Sequence, residues 1–410
     1  MASKSSALGA LLYGTESNFG ETTTTTSVRL RPLGAVTYDL KYEGMKQEIL
    51  RQRPNEGVPY VRGPMGGSIS FTMHLTGLGA TCAGAAPASA LATLLGYAVG
   101  VTATGLATGD TMAGAGTASA PTTTGASGTT AGALVHIGAK GDTRADGQWV
   151  AVSSHSASTL NLLTAVPSTP NNGDVLYSSR MVYPSQTTGT YETITGLRFR
   201  FLSAQQQYLC HGCYPTAIEF NIEVGAVPTV KLTYAVSWWE LVNGTFPDTT
   251  SVQDYAAAPV AGGSMFINAV GTATRNTIVA RSVSMSVAFN NQGEPGVGGY
   301  NEHQLVVGAN RGPGAVMVEM TIDSEAAGTD TYGDLFDVSE NSRINRHALY
   351  SMSVGDGRAL GIYWPNLTQT EKPIQMDDGG VLRKKLRFEA LTGTTTTTDL
   401  TLSPYRIGMA

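Results

Sequence analysis

One pattern occurs twice in this chain, and it constrains the fold more than any other feature. From Tyr38 to Thr76, an alternating stretch (Tyr38, Leu40, Tyr42) leads into a charged connector carrying Asn55-Glu56 and then Arg62-Gly63-Pro64. A second alternating stretch follows, with Ile69, Phe71, Met73 and Leu75. Late in the chain the order returns. Val283, Met285, Val287 and Phe289 alternate, a glycine-rich connector carries Asn301-Glu302 and Arg311-Gly312-Pro313, and Val316, Val318, Met320 and Ile322 alternate after it. Apolar residues at every second position turn one side of a strand to a core and the other to water. Several such elements in matched order read as an internal duplication of a β unit.

Composition narrows what such a unit can be. Only 14 % of the 410 residues are charged, against about 25 % in an ordinary soluble domain. A surface so poor in charge is expected to be covered by neighbours over much of its area. The net charge of −5 argues against a protein that grips nucleic acid by its phosphates. Three cysteines, an odd number, give no disulfide framework. The opening Met1-Ala-Ser-Lys lacks the apolar core of a signal peptide. The uncharged run between His74 and Asp110 is broken by Gly96, Gly100 and Gly105 and is too weakly apolar for a membrane span.

Taken in order, residues 1–27 read as a small-residue arm ending in the tract Thr22–Thr26. A first unit occupies 28–102 and 186–242. Ala88, Leu91, Leu94 and Leu95 suit a short helix at 87–99. Residues 103–185 form a small β subdomain inserted into that unit, in which the Gly/Ala/Thr/Ser stretch 103–130 is a linker by composition. Strands are expected at 134–139, 148–152, 159–164 and 174–183, with Asp146-Gly147 and Asn172-Gly173 as turn signals. The unit then resumes with three alternating strands, around Phe199, Phe220 and Leu232. A linker spans 243–263, a second unit 264–393 with a helix at 332–344, and a tail 394–410. The fold class is therefore mainly β.

Candidate chemistry is thin. Cys210-His-Gly-Cys213 has metal-like spacing, but a structural zinc site needs four ligands and no second pair completes it. Two thiols at the start of a strand is the plainer reading. Gly293–Gly299 lacks the Gly-Lys-Ser/Thr of a phosphate loop. The six histidines have no metal spacing, and Asp377-Asp378 before Gly379-Gly380 reads as a solvated turn. Leu382–Arg387 holds the one basic cluster, a nucleic-acid patch or, more plainly, the polar side of a strand facing acids. No enzyme, metal or cofactor is expected.

The elements that recur are the strands at 68–76 and 315–322, each preceded by Arg-Gly-Pro and followed by a helix candidate. To these are added the strand pair Cys213–Glu223 and Thr229–Leu241 and the ending Val381–Gly393. Their order resembles the tail tube (major tail) proteins of long-tailed bacteriophages, in the branch with two tube folds in one polypeptide. The resemblance spans about residues 28–393 and is interrupted by the insert.

It implies two tandem β-sandwich folds, each with a short helix, whose sheets join side by side into a ring. Two folds per chain imply three chains in a pseudo-sixfold ring. Rings would stack into a hollow tube that carries double-stranded DNA without binding it. The connectors 45–62 and 290–312, bearing Asn55, Glu56, Arg62, Asn301, Glu302 and Arg311, would be the stacking arms. Glu219 and Glu223 would be acidic residues on the lumen or the outer surface. Implied partners are further copies of the chain and other tail proteins (tape measure, tail terminator, baseplate or tip), with no membrane. The implied location is the virion, after synthesis in the host cytoplasm. The competing reading is a β-rich surface adhesin or another virion or decoration protein.

Overall fold

The computed structural model describes residues 10–410 apart from 22–23, 47–59, 79–81, 83–84, 86–88, 126–128, 139–147, 157, 167–168, 187–193, 204–205, 244–245, 247–262, 272–276, 279, 297–303, 305, 313, 324–344, 354–357, 372–373, 379–380 and 394–398. The expected helix at 332–344 and the residues Asn55, Glu56, Asn301 and Glu302 lie outside the described residues.

The chain is mainly β. It opens with β1 (Leu11–Glu16), β2 (Thr24–Leu30), β3 (Thr37–Lys46), β4 (Tyr60–His74) and the helix α1 (Ala90–Val99). Next come β5 (Val101–Leu106), β6 (Asp110–Thr117), β7 (Ala120–Thr123), β8 (Leu134–Gly138) and β9 (Gln148–Ser156). They are followed by β10 (Thr159–Leu162), β11 (Asn172–Tyr177) and β12 (Ser179–Tyr183). Then follow β13 (Leu197–Ser203), β14 (Gln206–Glu223), β15 (Thr229–Val236) and β16 (Trp238–Val242). The later part holds β17 (Ser264–Ala269), β18 (Thr277–Ile278), β19 (Ala280–Ala288), β20 (Gln292–Pro295), β21 (Val306–Asn310) and β22 (Ala315–Asp323). It closes with β23 (Arg346–Ser353), β24 (Ala359–Gln369), β25 (Ile374–Asp378), β26 (Val381–Ala390) and β27 (Arg406–Met409).

Strand pairing repeats along the chain. β1 lies between β2 and β13; β17 lies between β18 and β23. β13 continues to β14, which carries β16 on its other side; β23 continues to β24, which carries β27. The hairpin β3–β4 pairs onward to β15, and the hairpin β19–β22 pairs onward to β26. Finally β15 meets the second half of β14, and β26 meets β25. Every partnership in the first set thus has a counterpart in the second.

The two sets share one sheet. The second half of β14 pairs with β19, from Ala217↔Ala288 to Glu223↔Ser282. This joint makes the continuous antiparallel order β3-β4-β15-β14-β19-β22-β26-β25. Its inner face carries Ile69, Phe71, Leu232, Phe220, Met285, Val318 and Phe388, all buried. An outer layer covers them. Phe199 on β13 lies 5.5 Å from the Phe71 ring and 4.8 Å from that of Tyr234. Alternation along each strand produces this two-layer packing.

α1 starts at Ala90, three residues later than the expected 87, because Ser89 is its cap: Ala92 N–H donates to Ser89 Oγ at 3.2 Å. Leu91, Leu94, Leu95 and Ala98 are fully buried.

Several expected boundaries move. The 1–27 arm contains β1, whose Leu11, Leu12 and Tyr13 are buried and paired on both sides. The 394–410 tail contains β27, where Ile407 and Met409 are buried against β24. The 103–130 stretch is not a linker. It supplies β6 and β7 to a closed six-stranded barrel, in the order β10-β7-β6-β11-β8-β9. Threonine is β-branched and suits a strand whatever the complexity of the run. The barrel is narrower than the expected 103–185 insert, because β5 and β12 lie outside it. β12 pairs with both β5 and β27, extending the outer sheet of the second repeat. Trp149 of β9 seats the barrel there, and Trp149 N–H donates to Ser351 Oγ at 3.0 Å.

Candidate functional site

The side of the continuous sheet away from the core is polar from β4 to β26 apart from Met317, with Ile374 and Met376 of β25 at its margin. Across the first repeat it presents Ser68, Ser70 and Thr72 of β4, Thr229, Lys231 and Thr233 of β15, and Glu219, Asn221 and Glu223 of β14. The second repeat continues it with Ser282, Ser284 and Ser286 of β19, Glu319, Thr321 and Asp323 of β22, and Arg383, Lys385 and Arg387 of β26. The apolar residues between these positions face the core, so the period of two in the sequence builds this surface directly.

Charge on this face is paired. Lys231 Nζ lies 3.4 Å from Glu219. Lys385 and Arg387 both reach Glu319, at 2.6 Å and 3.0 Å, and Arg387 also reaches Glu371 at 3.0 Å. Asp323 holds Arg281 at 2.7 Å and Arg383 at 3.5 Å. Burial alone would raise the Glu319 carboxyl, but the hydrogen bonds from Lys385 and Arg387 outweigh it and hold the group below its ordinary 4.5. Asp323 is held below 3.8, first by its hydrogen bond from Arg281. The basic run 382–387 is therefore the polar side of a strand facing acids, and those acids belong to the same chain.

Two strands bound this face. Among the described residues β3 pairs only with β4, and β25 only with β26. Tyr42 on β3 is 60 % exposed, and Ile374 and Met376 on β25 are 43 % and 41 % exposed. Open backbone edges beside exposed apolar side chains are templates for strand addition. Tyr42 was expected on the apolar core side of its strand. It is exposed although Met65, its partner across the β3–β4 hairpin, is buried.

The other predicted residues fall in different places. Glu219 and Glu223 both lie on the polar face, Glu219 in its ion pair and Glu223 at the exposed end of β14. The 45–62 stretch is not all connector, because β3 and β4 pair out to Lys46↔Tyr60 and Arg62 sits inside β4 opposite Gly44. Arg-Gly-Pro thus lies within the first hairpin and not ahead of its second strand.

Arg311 is not free to act as a stacking arm. Its guanidinium donates to the last carbonyls of α1, to Val99 O at 2.6 Å and to Tyr97 O and Ala98 O at 3.2 Å. Helix C-termini leave carbonyls unsatisfied and carry partial negative charge. α1 has no basic residue in its own last turn, so a cation from the second repeat closes the helix of the first. The outward hairpin of the second repeat is instead extended by β20–β21, from Gln292↔Asn310 to Pro295↔Val306.

Cys210 and Cys213 lie buried in β14, and burial pushes both thiols well above their ordinary range. Among the described residues no group of three or more His, Cys, Asp or Glu is placed to hold a metal ion, and no helix is long and apolar enough to cross a membrane. The carboxylates of Glu319, Asp323 and Glu371 went unremarked in the sequence. The available signal was the alternation Glu319, Thr321, Asp323 on the strand after the second Arg-Gly-Pro, matched in spacing to Arg383, Lys385, Arg387.

No protein-family model matches the chain, and no curated protein is significantly similar to it.

Proposed function

We propose that the chain is the structural subunit of a bacteriophage tail tube. Its sheets join edge to edge into rings, and the rings stack into a hollow conduit for double-stranded DNA. The observation that carries this reading is the β14–β19 joint. There the last main-sheet strand of the first repeat pairs with the first hairpin of the second. The counterparts of those two strands are β25 and β3, the two edges left open. A contact that joins repeat one to repeat two can join repeat two to repeat one of the next chain, which is a heterologous contact able to close a ring. Three chains would then supply six repeats.

The polar face becomes the lumen wall in such a ring. Phosphates passing it meet hydroxyls and cations already held by carboxylates, so counterion release gives the DNA little affinity for the wall. The low overall charge fits a subunit whose edges are covered on assembly.

Negative-stain microscopy of purified full-length chain tests this. Uniform rings or hollow filaments, with three chains per ring after image averaging, are the expected result. A particle that stays monomeric at every concentration refutes the reading, and six full-length chains per ring refutes the pseudo-sixfold arrangement.

A further inference from the structure

We propose that Glu319, Asp323 and Glu371 are a charge mask that keeps duplex DNA from binding the basic strip on β26; its biological role rests on the tube reading above. Arg383, Lys385 and Arg387 share the polar face by alternation, spaced roughly 7 Å apart along the strand. Arg281 stands two strands away, its guanidinium on Asp323. Left to themselves, these four cations on either side of β22 would form a strip suited to a polyanion. Three carboxylates hold all four: Glu319 takes Lys385 and Arg387, Asp323 takes Arg281 and Arg383, and Glu371 takes Arg387 from the far side.

Stability is a weak reason for such a cluster. Ion pairs this exposed contribute little each, because water and salt screen them. The matching face of the first repeat does without such a cluster, with serines and threonines and two separate pairs, Lys231–Glu219 and Lys41–Asp39. What the acids change is the field a phosphate meets. An occupied guanidinium releases no counterion when DNA approaches, and the carboxylate beside it repels the phosphate.

The test uses the monomeric fraction of the full-length chain and a short fluorescein-labelled DNA duplex, read by anisotropy across a salt series. For the wild type we expect no salt-dependent binding. For Glu319→Gln/Asp323→Asn/Glu371→Gln, three to four freed cations give a log–log salt slope of about −3 to −4. That slope is a loss of roughly a hundredfold in affinity between about 50 and about 200 mM salt. Adding Arg387→Gln to the triple variant should reduce the slope by about one.

A control variant, Asp110→Asn/Asp174→Asn/Glu294→Gln, changes the net charge equally but away from the strip. It should not bind. Equal binding by the control, or no binding by the triple variant, overturns the proposal. If circular dichroism shows the triple variant unfolded, Glu319→Gln alone decides, since it frees Lys385 while Arg387 stays on Glu371. A slope of about −1 supports the mask, and none overturns it. Because the readout is DNA binding by monomer, a failure here leaves the ring microscopy standing, and a chain that forms no rings leaves the mask result standing.

Discussion

Replacing Arg311 with glutamine would remove the cation that, among the described residues, closes α1, and the loss can be worked from its bonds. The guanidinium makes three hydrogen bonds to the helix end, one short at 2.6 Å and two longer at 3.2 Å. A bond to a charged donor contributes about 1.5–3 kcal/mol. We count the short bond fully and the long ones lightly, since 3.2 Å is the outer limit of good geometry. A cation at a helix C-terminus adds about 0.3–1 kcal/mol. Part of the sum is returned, because glutamine can keep one bond and water can reach a half-buried site. The net cost is about 2–4 kcal/mol, nearly all of it local to α1 and the joint between the repeats. Hydrogen-exchange mass spectrometry over residues 90–100 reads this directly, because local opening sets the exchange rate. Each 1.4 kcal/mol is tenfold, so exchange should quicken by about thirtyfold to several hundredfold, with residues 381–390 of β26 as an unaffected reference. Arg311→Lys, a point charge without the fork, should fall between the two. Unchanged α1 exchange in Arg311→Gln would refute the capping argument.

Other outcomes follow from particular contacts. The buried Glu16 carboxylate accepts from Gly20 N at 2.7 Å and Gly212 N at 3.0 Å, so Glu16→Ala leaves two donors without an acceptor and should cost about 3–5 kcal/mol in denaturant unfolding. In Gly408→Ala the new Cβ would meet the Trp149 ring at 2.5 Å; the overpacking, about 1–3 kcal/mol, should loosen the barrel and change Trp149 fluorescence. Ile374→Lys/Met376→Lys places charge on the open β25 edge and should abolish rings in the microscope while leaving the thermal melt of the monomer within a degree or so. The Glu319 and Asp323 carboxyls sit below 4.5 and 3.8. Depressed values mean that their pairing is present above the unfolded range and fades only as pH falls through the lower folded values. Wild-type chain should therefore ignore DNA wherever both carboxyls stay ionised and begin to bind it only as pH falls through their depressed folded values, which for Asp323 lie below 3.8.

How much was readable beforehand differs between the fold and the site. The strands around Phe71, Phe220, Leu232, Met285 and Val318 were visible as period-two runs, and so was their polar side, Glu219 and Glu223 included. β1 was hidden because Leu11-Leu12-Tyr13 is a short apolar run with no alternation, in a segment whose small residues suggested an arm. β6 and β7 were hidden because threonine, glycine and alanine write no hydrophobic period, although closing a barrel makes their faces distinct. Arg311 was legible as a special residue but not in its task, since its partner is a helix more than two hundred positions earlier.

By itself, then, the chain's alternation decided which side of each strand meets water, because side-chain direction in a strand depends on position alone. Its doubled order decided that one arrangement of strands would be built twice. Only the tertiary structure decided which strands became neighbours. That choice put Glu319 beside Lys385, Arg311 under α1, and left β3 and β25 at the margins. Pairing between distant segments depends on the whole set of competing contacts, and no local stretch of residues carries that information.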